Sequence, residues 1–336
     1  MKEYDEFKSF IKIPEGEEGQ RCFYTLRIDS YGRGCNHNCS YCYAKSLLDF
    51  RKLWNVENPA VTDMKRVEKI FSDVFEKDKK SKWSEILLNK IPVRLGGMTD
   101  PMQDLEAETE TTYKLLQILK KYEYPYLLLT KNARIGEEKY LEVLDKNLAY
   151  VQVTVTTLNE GYAKKVEQNA SSPEDRLKAI KALSDSGIYV AGRLSPLFPM
   201  YADGHFTKGV ESKSLDFFSW DLPTEICKHG AKTIIGEFIR YTPFVHNWLN
   251  HDFGDDMKWV LNENSISRGG AKHFSTEEKK YYFEEVKKIC DSFGVDFTVC
   301  DDGDFEAFKY LWANQDDCCN GYGKIPGFST TMKTIK

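Results

Sequence analysis

The segment Cys35-Asn36-His37-Asn38-Cys39-Ser40-Tyr41-Cys42 sets three thiols at C-x3-C-x2-C spacing inside one short loop. That spacing lets a single loop wrap three corners of a cubane iron–sulfur cluster. A [4Fe–4S] cluster has four irons, so three local thiolates leave one iron open to a non-protein ligand. The competing reading is a zinc knuckle, which needs four ligands in a closed shell, with His37 as the fourth. Zinc sites usually arrive as two separated ligand pairs, whereas His37 lies inside the loop.

Around that loop, short apolar β-rich runs alternate with longer helical patterns, the layout of parallel strands joined by crossover helices. Strands are expected near Tyr24–Asp29, Pro92–Leu95, Tyr126–Thr130, Val151–Thr156, Ile188–Leu194 and Thr233–Ile239. Leu105, Thr112, Leu115, Leu116, Leu119 and Tyr122 recur at helical spacing and offer one face to the sheet. Ser172 can cap a helix opened by Pro173, with Gly187 as its stop. Ser275 and Glu278 form a capping-box pattern for a helix through Asp291, followed by Gly294 and a strand at Val295–Val299. Six right-handed βα units give an α/β fold, an open (β/α)6 partial barrel of the TIM type, with an extra C-terminal α/β unit. The expected division is an N-terminal extension over 1–23, the partial barrel over 24–240, and a C-terminal extension over 241–336 that closes the barrel side.

With 336 residues and 41% hydrophobic content the chain can bury a large core. No apolar run reaches the roughly 20 residues of a membrane span, and the acidic start Met1-Lys2-Glu3-Tyr4-Asp5-Glu6 is unlike a signal peptide. Nine cysteines, an odd number with three in one loop, argue for a reducing compartment. A cytoplasmic protein without membrane partners is therefore expected. A net charge of −5 disfavours a generic polyanion binder.

The run Gly34 to Ala44, with Thr99-Asp100-Pro101-Met102-Gln103, Leu129-Thr130-Lys131, Val155-Thr156-Thr157-Leu158 and Ser171 to Leu177 in that order, resembles the spore photoproduct lyase-like branch of the radical SAM superfamily. The resemblance covers roughly residues 24 to 240. It implies the same partial barrel, a [4Fe–4S] cluster on Cys35, Cys39 and Cys42, and S-adenosylmethionine at the open iron, cleaved reductively to a 5′-deoxyadenosyl radical. It also implies an external electron donor of the flavodoxin or ferredoxin type.

The motifs fall after successive strands, where a barrel of this kind carries its active site. Gly96 and Gly97 let backbone approach a ligand closely and resemble the segment that holds the methionine amino group; a plain tight turn is the alternative. Thr99 follows them as a cofactor contact. Asp100 and Gln103 offer an acceptor and an amide that orient the cofactor or line the substrate cavity, against simple turn chemistry. Lys131 is placed to meet the methionine carboxylate as a point charge, against a solvated lysine. Thr156 and Arg193 offer a hydroxyl and a planar fork to carboxylate or ribose, with a structural ion pair as the alternative for Arg193. Tyr41 is expected to shield the cluster and stack on adenine. Tyr43 either relays a hydrogen atom or packs under the loop. Arg176 is assigned to the helix surface or to Glu167, and Glu237 and Arg240 to the cavity or to each other.

Cys290, Cys300, Cys318 and Cys319 would suffice for a second cluster, although the side chains of adjacent Cys318 and Cys319 diverge. Buried thiols, or a redox or hydrogen-donor thiol, are the alternatives. The lyase pattern carries a donor cysteine where Met98 stands here, and a thioether cannot donate that hydrogen. The substrate expected from the resemblance is a nucleobase, nucleotide or nucleic acid; a peptide or small metabolite is the second reading. A non-catalytic cluster carrier or zinc module is the reading from another class. Phe217, Phe218, Trp220, Phe244, Trp248, Phe253 and Trp259 form either a lid over a planar substrate or packing under long loops.

Overall fold

A computed structural model describes residues 3–12, 22, 24–198, 218–253, 266–268, 270–300, 305–314 and 317–328. Its strands are β1 (Asp5–Phe7), β2 (Ile11–Lys12), β3 (Leu26–Ile28), β4 (Tyr31–Gly32), β5 (Ala60–Thr62), β6 (Val93–Leu95), β7 (Tyr126–Thr130), β8 (Ala149–Thr154), β9 (Tyr189–Leu197), β10 (Thr233–Phe238), β11 (Ile266–Arg268), β12 (Ala271–His273) and β13 (Asp296–Val299). The main sheet runs β13-β10-β9-β8-β7-β6-β3-β2. Every neighbour from β3 to β13 is parallel, and β2 alone is antiparallel. All six expected barrel strands are present in sequential order. The expected extra strand becomes a seventh parallel member, β13 pairing Thr233 to Asp296 and Gly236 to Val299. The result is an unclosed partial barrel.

Alternation along these strands sorts their side chains into an outer, helix-covered layer and a lumen. A methyl on Gly192 would meet Ile226 at 2.3 Å, and one on Gly236 would meet Phe283 at 2.9 Å, so both face the helix layer. Arg193 and Glu237, one residue on, therefore point inward, as do Arg94 and Gln152 by register. Leu26, Ile28, Val93, Leu95, Leu128, Val151, Val190 and Ile234 are fully buried in the outer core.

The helices begin where their caps predict. Ser172 Oγ accepts the Asp175 amide ahead of Pro173–Asp185, and the Ser275–Glu278 capping box opens Thr276–Phe293, which ends at Gly294 with φ +66°. The helical face beginning at Leu105 is two helices, Leu105–Thr109 and Thr111–Lys121, broken at Glu110 with φ +52°. Residues 317–328 close the N-terminal end of the barrel: Tyr24 Oη donates to Asp317 at 2.8 Å, Tyr150 Oη to the Cys319 carbonyl at 2.5 Å, and Asn320 Nδ2 to Thr233 and Asp296. Of the aromatics proposed as a lid, Phe218 is buried and Trp220 stacks on Tyr282 at 5.7 Å, which is packing. Phe244 and Trp248 lie on the helix Pro243–Phe253, their rings 6.1 Å apart. Phe217, Trp259 and the Phe253 side chain lie outside the described residues. No helix among the described residues is long and apolar enough to cross a membrane.

Candidate active site

The cysteine loop leaves the strand end at Arg33 and Gly34, both with positive φ; at Gly34 (φ +119°) a Cβ would meet Val56 at 2.9 Å. Asn38, also at positive φ, turns the chain between Cys35 and Cys39. Cys42 caps the helix Tyr43–Phe50, its Sγ accepting the Lys45 amide at 3.4 Å. Contacts from other elements pin the loop. Ser40 N donates to the Val166 carbonyl at 2.9 Å, Asn36 N to Gln103 Oε1 at 2.9 Å, and Asn169 Nδ2 to the Asn36 carbonyl at 2.7 Å. Burial first, with Glu167, Cys42 and Cys35 adding to it, pushes the Cys39 thiol well up despite Lys131. Cys35 and Cys39 are buried and Cys42 half-buried, and the three are near enough that Cys35 adds to burial in pushing up both other thiols, which disfavours free thiolates and suits a shared cation.

The glycine segment is held by a residue that pattern reading passed over. Asp29 Oδ1, at the end of β3, accepts the amides of Gly97 (2.7 Å), Met98 (2.8 Å) and Thr99 (3.3 Å). Ser9 and Thr62 hold the backbone of Asp29 in turn. Gly96 has φ +88°, and a Cβ there would meet the Leu129 carbonyl and Pro101 at 2.9 Å; one on Gly97 would meet Arg27 at 3.0 Å. Tyr43 Oη donates to the Gly97 carbonyl at 2.6 Å, so the phenol is tied to the same segment. Thr99 directs its hydroxyl to the Tyr31 carbonyl at 2.9 Å.

Asp100 is a hub. Its carboxylate accepts Met102 N, Thr130 Oγ1 at 2.6 Å and Lys131 N at 2.7 Å, and faces His37 Nδ1 at 3.4 Å. Burial opposes its ionisation, but His37 and these donors hold the pKa at about 2. Burial pulls His37 down, and Cys35 and Asp100 together push it up to about 10. His37 Nε2 and Gln103 Nε2 are buried without a partner.

Glu167 is the second hub. Tyr41 Oη and Thr156 Oγ1 both donate to its Oε1, and Arg176 Nη2 meets Oε2 at 2.5 Å. Arg176 also donates to the Ser171 and Thr154 carbonyls. Burial works against the Glu167 carboxylate, but Arg176 and then Lys131 hold it below the usual range. Arg176 is thus buried with Glu167, not on the helix surface. Lys131 Nζ lies 5.5 Å from the Tyr41 ring, and despite burial Cys39, Glu167 and Asp100 keep its ammonium favoured. Tyr41, Lys131 and Thr156 are therefore brought together beside the cysteine loop. Their fit to a cluster and an amino-acid cofactor rests on the thiol set, the Lys131 ammonium, the backbone held at Gly96–Thr99 and the orphaned His37 and Gln103 nitrogens.

Arg193 stands elsewhere. Its guanidinium donates to Gln152 at 2.8 Å, to Ser195, and to Glu237 at 3.1 Å, while Arg240 takes the other Glu237 oxygen at 3.0 Å. The proposed second cluster set needs correction. Cys290, on the outer helix Thr276–Phe293, shares a hydrogen bond with Cys227 of the neighbouring helix, whereas Cys318 shares hydrogen bonds with Cys300 and Cys319 at the barrel floor. The two groups belong to different layers and cannot ligate one cluster together. Asp29, Arg94 and Cys22 were missed, and Glu167 entered only as a partner for Arg176; a charged residue inside a short apolar strand is the signal that marks Arg94 and Arg27.

Comparison with known proteins agrees with this geometry. The model of the radical SAM superfamily matches residues 30–208. Uncharacterized protein ORF301 of Acidianus two-tailed virus is 23% identical over 259 residues, spanning 75% of this chain and 79% of that protein. Among solved structures, a spore photoproduct lyase mutant with bound AdoMet and dinucleoside spore photoproduct superposes with TM-score 0.61 at 14% identity, covering 87% of this chain and 78% of its own. Streptococcus suis SuiB bound to precursor peptide SuiA gives TM-score 0.50 at 14% identity over 85% of this chain and 51% of SuiB. At such identities these structures speak to the fold. With the family model matching more than half its length, the chain belongs to the radical SAM superfamily.

Proposed function

We propose that Cys35, Cys39 and Cys42 hold a [4Fe–4S] cluster, that S-adenosylmethionine lies between it, Gly96–Gly97 and Lys131, and that the substrate is a nucleobase or nucleotide admitted to the lumen. The observation that carries the reading is the half-buried Lys131 ammonium, 5.5 Å from the Tyr41 ring and within electrostatic reach of Cys39 and Cys42. When bound, the cofactors supply one-electron cleavage of a sulfonium to a 5′-deoxyadenosyl radical that abstracts hydrogen from the substrate. An electron donor of the flavodoxin or ferredoxin type supplies the electron.

The chain's own residues bind, orient and exclude water. Lys131 meets a carboxylate as a point charge in a low-dielectric site, where it acts strongly. Asp29 fixes three consecutive amides and so the path of the Gly96–Thr99 backbone. Glu167 immobilises the Tyr41 hydroxyl, leaving a rigid ring face for an adenine, and Phe198 packs against the other edge at 5.7 Å. Tyr43, bonded to Gly97, and Asp100, bonded to Thr130 and Lys131, act here as positioning residues. Thr99 and Thr156 serve the same purpose through Tyr31 and Glu167.

The nucleobase reading is supported by fold likeness to a lyase that carries a dinucleoside lesion; the absence of a cysteine at Met98 argues for a different reaction from that lyase. Anaerobically reconstituted protein with dithionite and S-adenosylmethionine should release 5′-deoxyadenosine. No product from protein with intact cluster would end the radical assignment. Deuterium carried from labelled nucleotides into 5′-deoxyadenosine would support the substrate class, and label arriving only from peptides would replace it.

A further inference from the structure

Deeper in the lumen than the cluster loop, two strands present guanidiniums: half-buried Arg94 from β6 and buried Arg193 from β9. Arg94 projects inward from β6 with its Nε buried and without a partner, and its polar contact among the described residues is the Cys22 thiol at 3.8 Å. Its electrostatic neighbours include Tyr43 and the Cys319 and Cys300 thiols, and its charge also reaches the Glu237 carboxylate. Arg193, 6% exposed, reaches the same space from β9, and the two guanidiniums repel one another. One carboxylate, Glu237, is shared by Arg193, Arg240 and the Ser195 hydroxyl. Among the described residues, Arg94 and Arg193 thus draw on one carboxylate, which Arg240 also meets. Guanidiniums withdrawn from water with a shared counter-charge are poorly compensated, and an anion would complete the arrangement.

We propose that Arg94 and Arg193 form the seat for a phosphate group carried by the substrate, an assignment that rests on the radical reading above and adds the substrate's ionic class. Planar guanidinium forks on β6 and β9 suit a tetrahedral oxyanion, which accepts bidentate bonds from more than one direction. Gln152, bonded to Arg193 between them on β8, fixes the fork. The cluster loop lies at the C-terminal end of the same lumen, and the 317–328 segment seals the other, so a ligand anchored here would present its remainder towards the loop. Glu237 and Arg240 set the polarity of the rim.

The test is binding to cluster-loaded, S-adenosylmethionine-bound protein without reductant, so its outcome does not depend on radical formation. By calorimetry, thymidine 5′-monophosphate should bind at least tenfold more tightly than thymidine, with glutarate weaker than the monophosphate. Arg94→Gln should remove that difference, and Arg94→Lys should restore part of it. On the unaltered protein, saturating inorganic phosphate should slow N-ethylmaleimide labelling of Cys22 several-fold, a readout independent of whether the variants fold. Equal affinity for thymidine and its monophosphate, glutarate binding more tightly, or unchanged Cys22 labelling would overturn the proposal. Binding that depends on Arg94 in protein that forms no 5′-deoxyadenosine would leave the phosphate seat standing and remove the radical reading alone.

Discussion

Beside the cysteine loop, Asp29, Asp100 and Glu167 each accept several hydrogen bonds and are matched to cations or amides. Deeper in the lumen, the hydrogen-bonding contact of Arg94 among the described residues is a thiol at 3.8 Å, and Arg193 shares its carboxylate with Arg240. On the first side each carboxylate has its own donors; on the second, one carboxylate serves several guanidiniums. A scaffold that must hold a cofactor in fixed geometry benefits from saturated, rigid networks. A wall that must receive a variable ligand keeps charge in reserve.

The strongest way to break this contrast is through the thiols. Cys39→Ala should abolish iron binding and lower 5′-deoxyadenosine formation at least a hundredfold, while Cys290→Ala, paired with Cys227 on the outer layer, should keep the iron content of the parent. Iron and sulfide analysis reads both. Loss of iron in the Cys290 variant would mean that the outer pair belongs to a metal site after all.

Next in size is the Glu167 hub. Glu167→Gln leaves Arg176 buried against a neutral amide and should cost about 3–5 kcal/mol in urea denaturation. Because Arg176 and Lys131 hold the folded carboxyl below the unfolded value of roughly 4.3, the stability it confers is complete above that pH and lost as pH falls through the folded value. The parent should therefore lose stability more steeply than Glu167→Gln on acidification below about pH 4.5. Parallel curves would show that the pair is not ionised.

Asp29→Asn sharpens the comparison at the glycine segment. Replacing a carboxylate that accepts three amides should cost about 1–3 kcal/mol and raise the S-adenosylmethionine dissociation constant. Stability lost without weaker cofactor binding would separate the segment from the ligand.

Sequence spacing located the cysteine loop, the glycine pair, Lys131 and the strand order, because these depend on local periodicity and on residues adjacent in the chain. Of the three carboxylate hubs, Asp100 stood out beside its motif, while the other two were not legible as hubs. Asp29 and Glu167 act on segments about 70 and 126 residues away, at Gly97 and Tyr41, and such distances leave no local pattern. The cysteine group was misread for the same reason: Cys290, Cys300, Cys318 and Cys319 are close in the chain, yet a helix sends Cys290 outward, while Cys22, far away in sequence, comes to the floor beside Arg94 and Cys319. Arg94 looked like a lone charge in a strand until register placed it across from Gln152 and Arg193.

The far wall is built on an added unit, and the smallest effect should come from there. Ser275 accepts the Glu278 amide while Glu278 reaches back to the Ser275 amide, which fixes the start of the helix that packs Phe283 against Gly236 and Phe297. Ser275→Ala removes one half of that exchange and should cost about 1 kcal/mol, read as a lower urea midpoint. Since β13 and this helix brace β10 from outside and touch none of the cysteine-loop contacts, S-adenosylmethionine cleavage per iron should stay at the parent level. A fall in cleavage would show that the two sides are mechanically coupled through β10, and the independence of the saturated and the open walls would have to be given up.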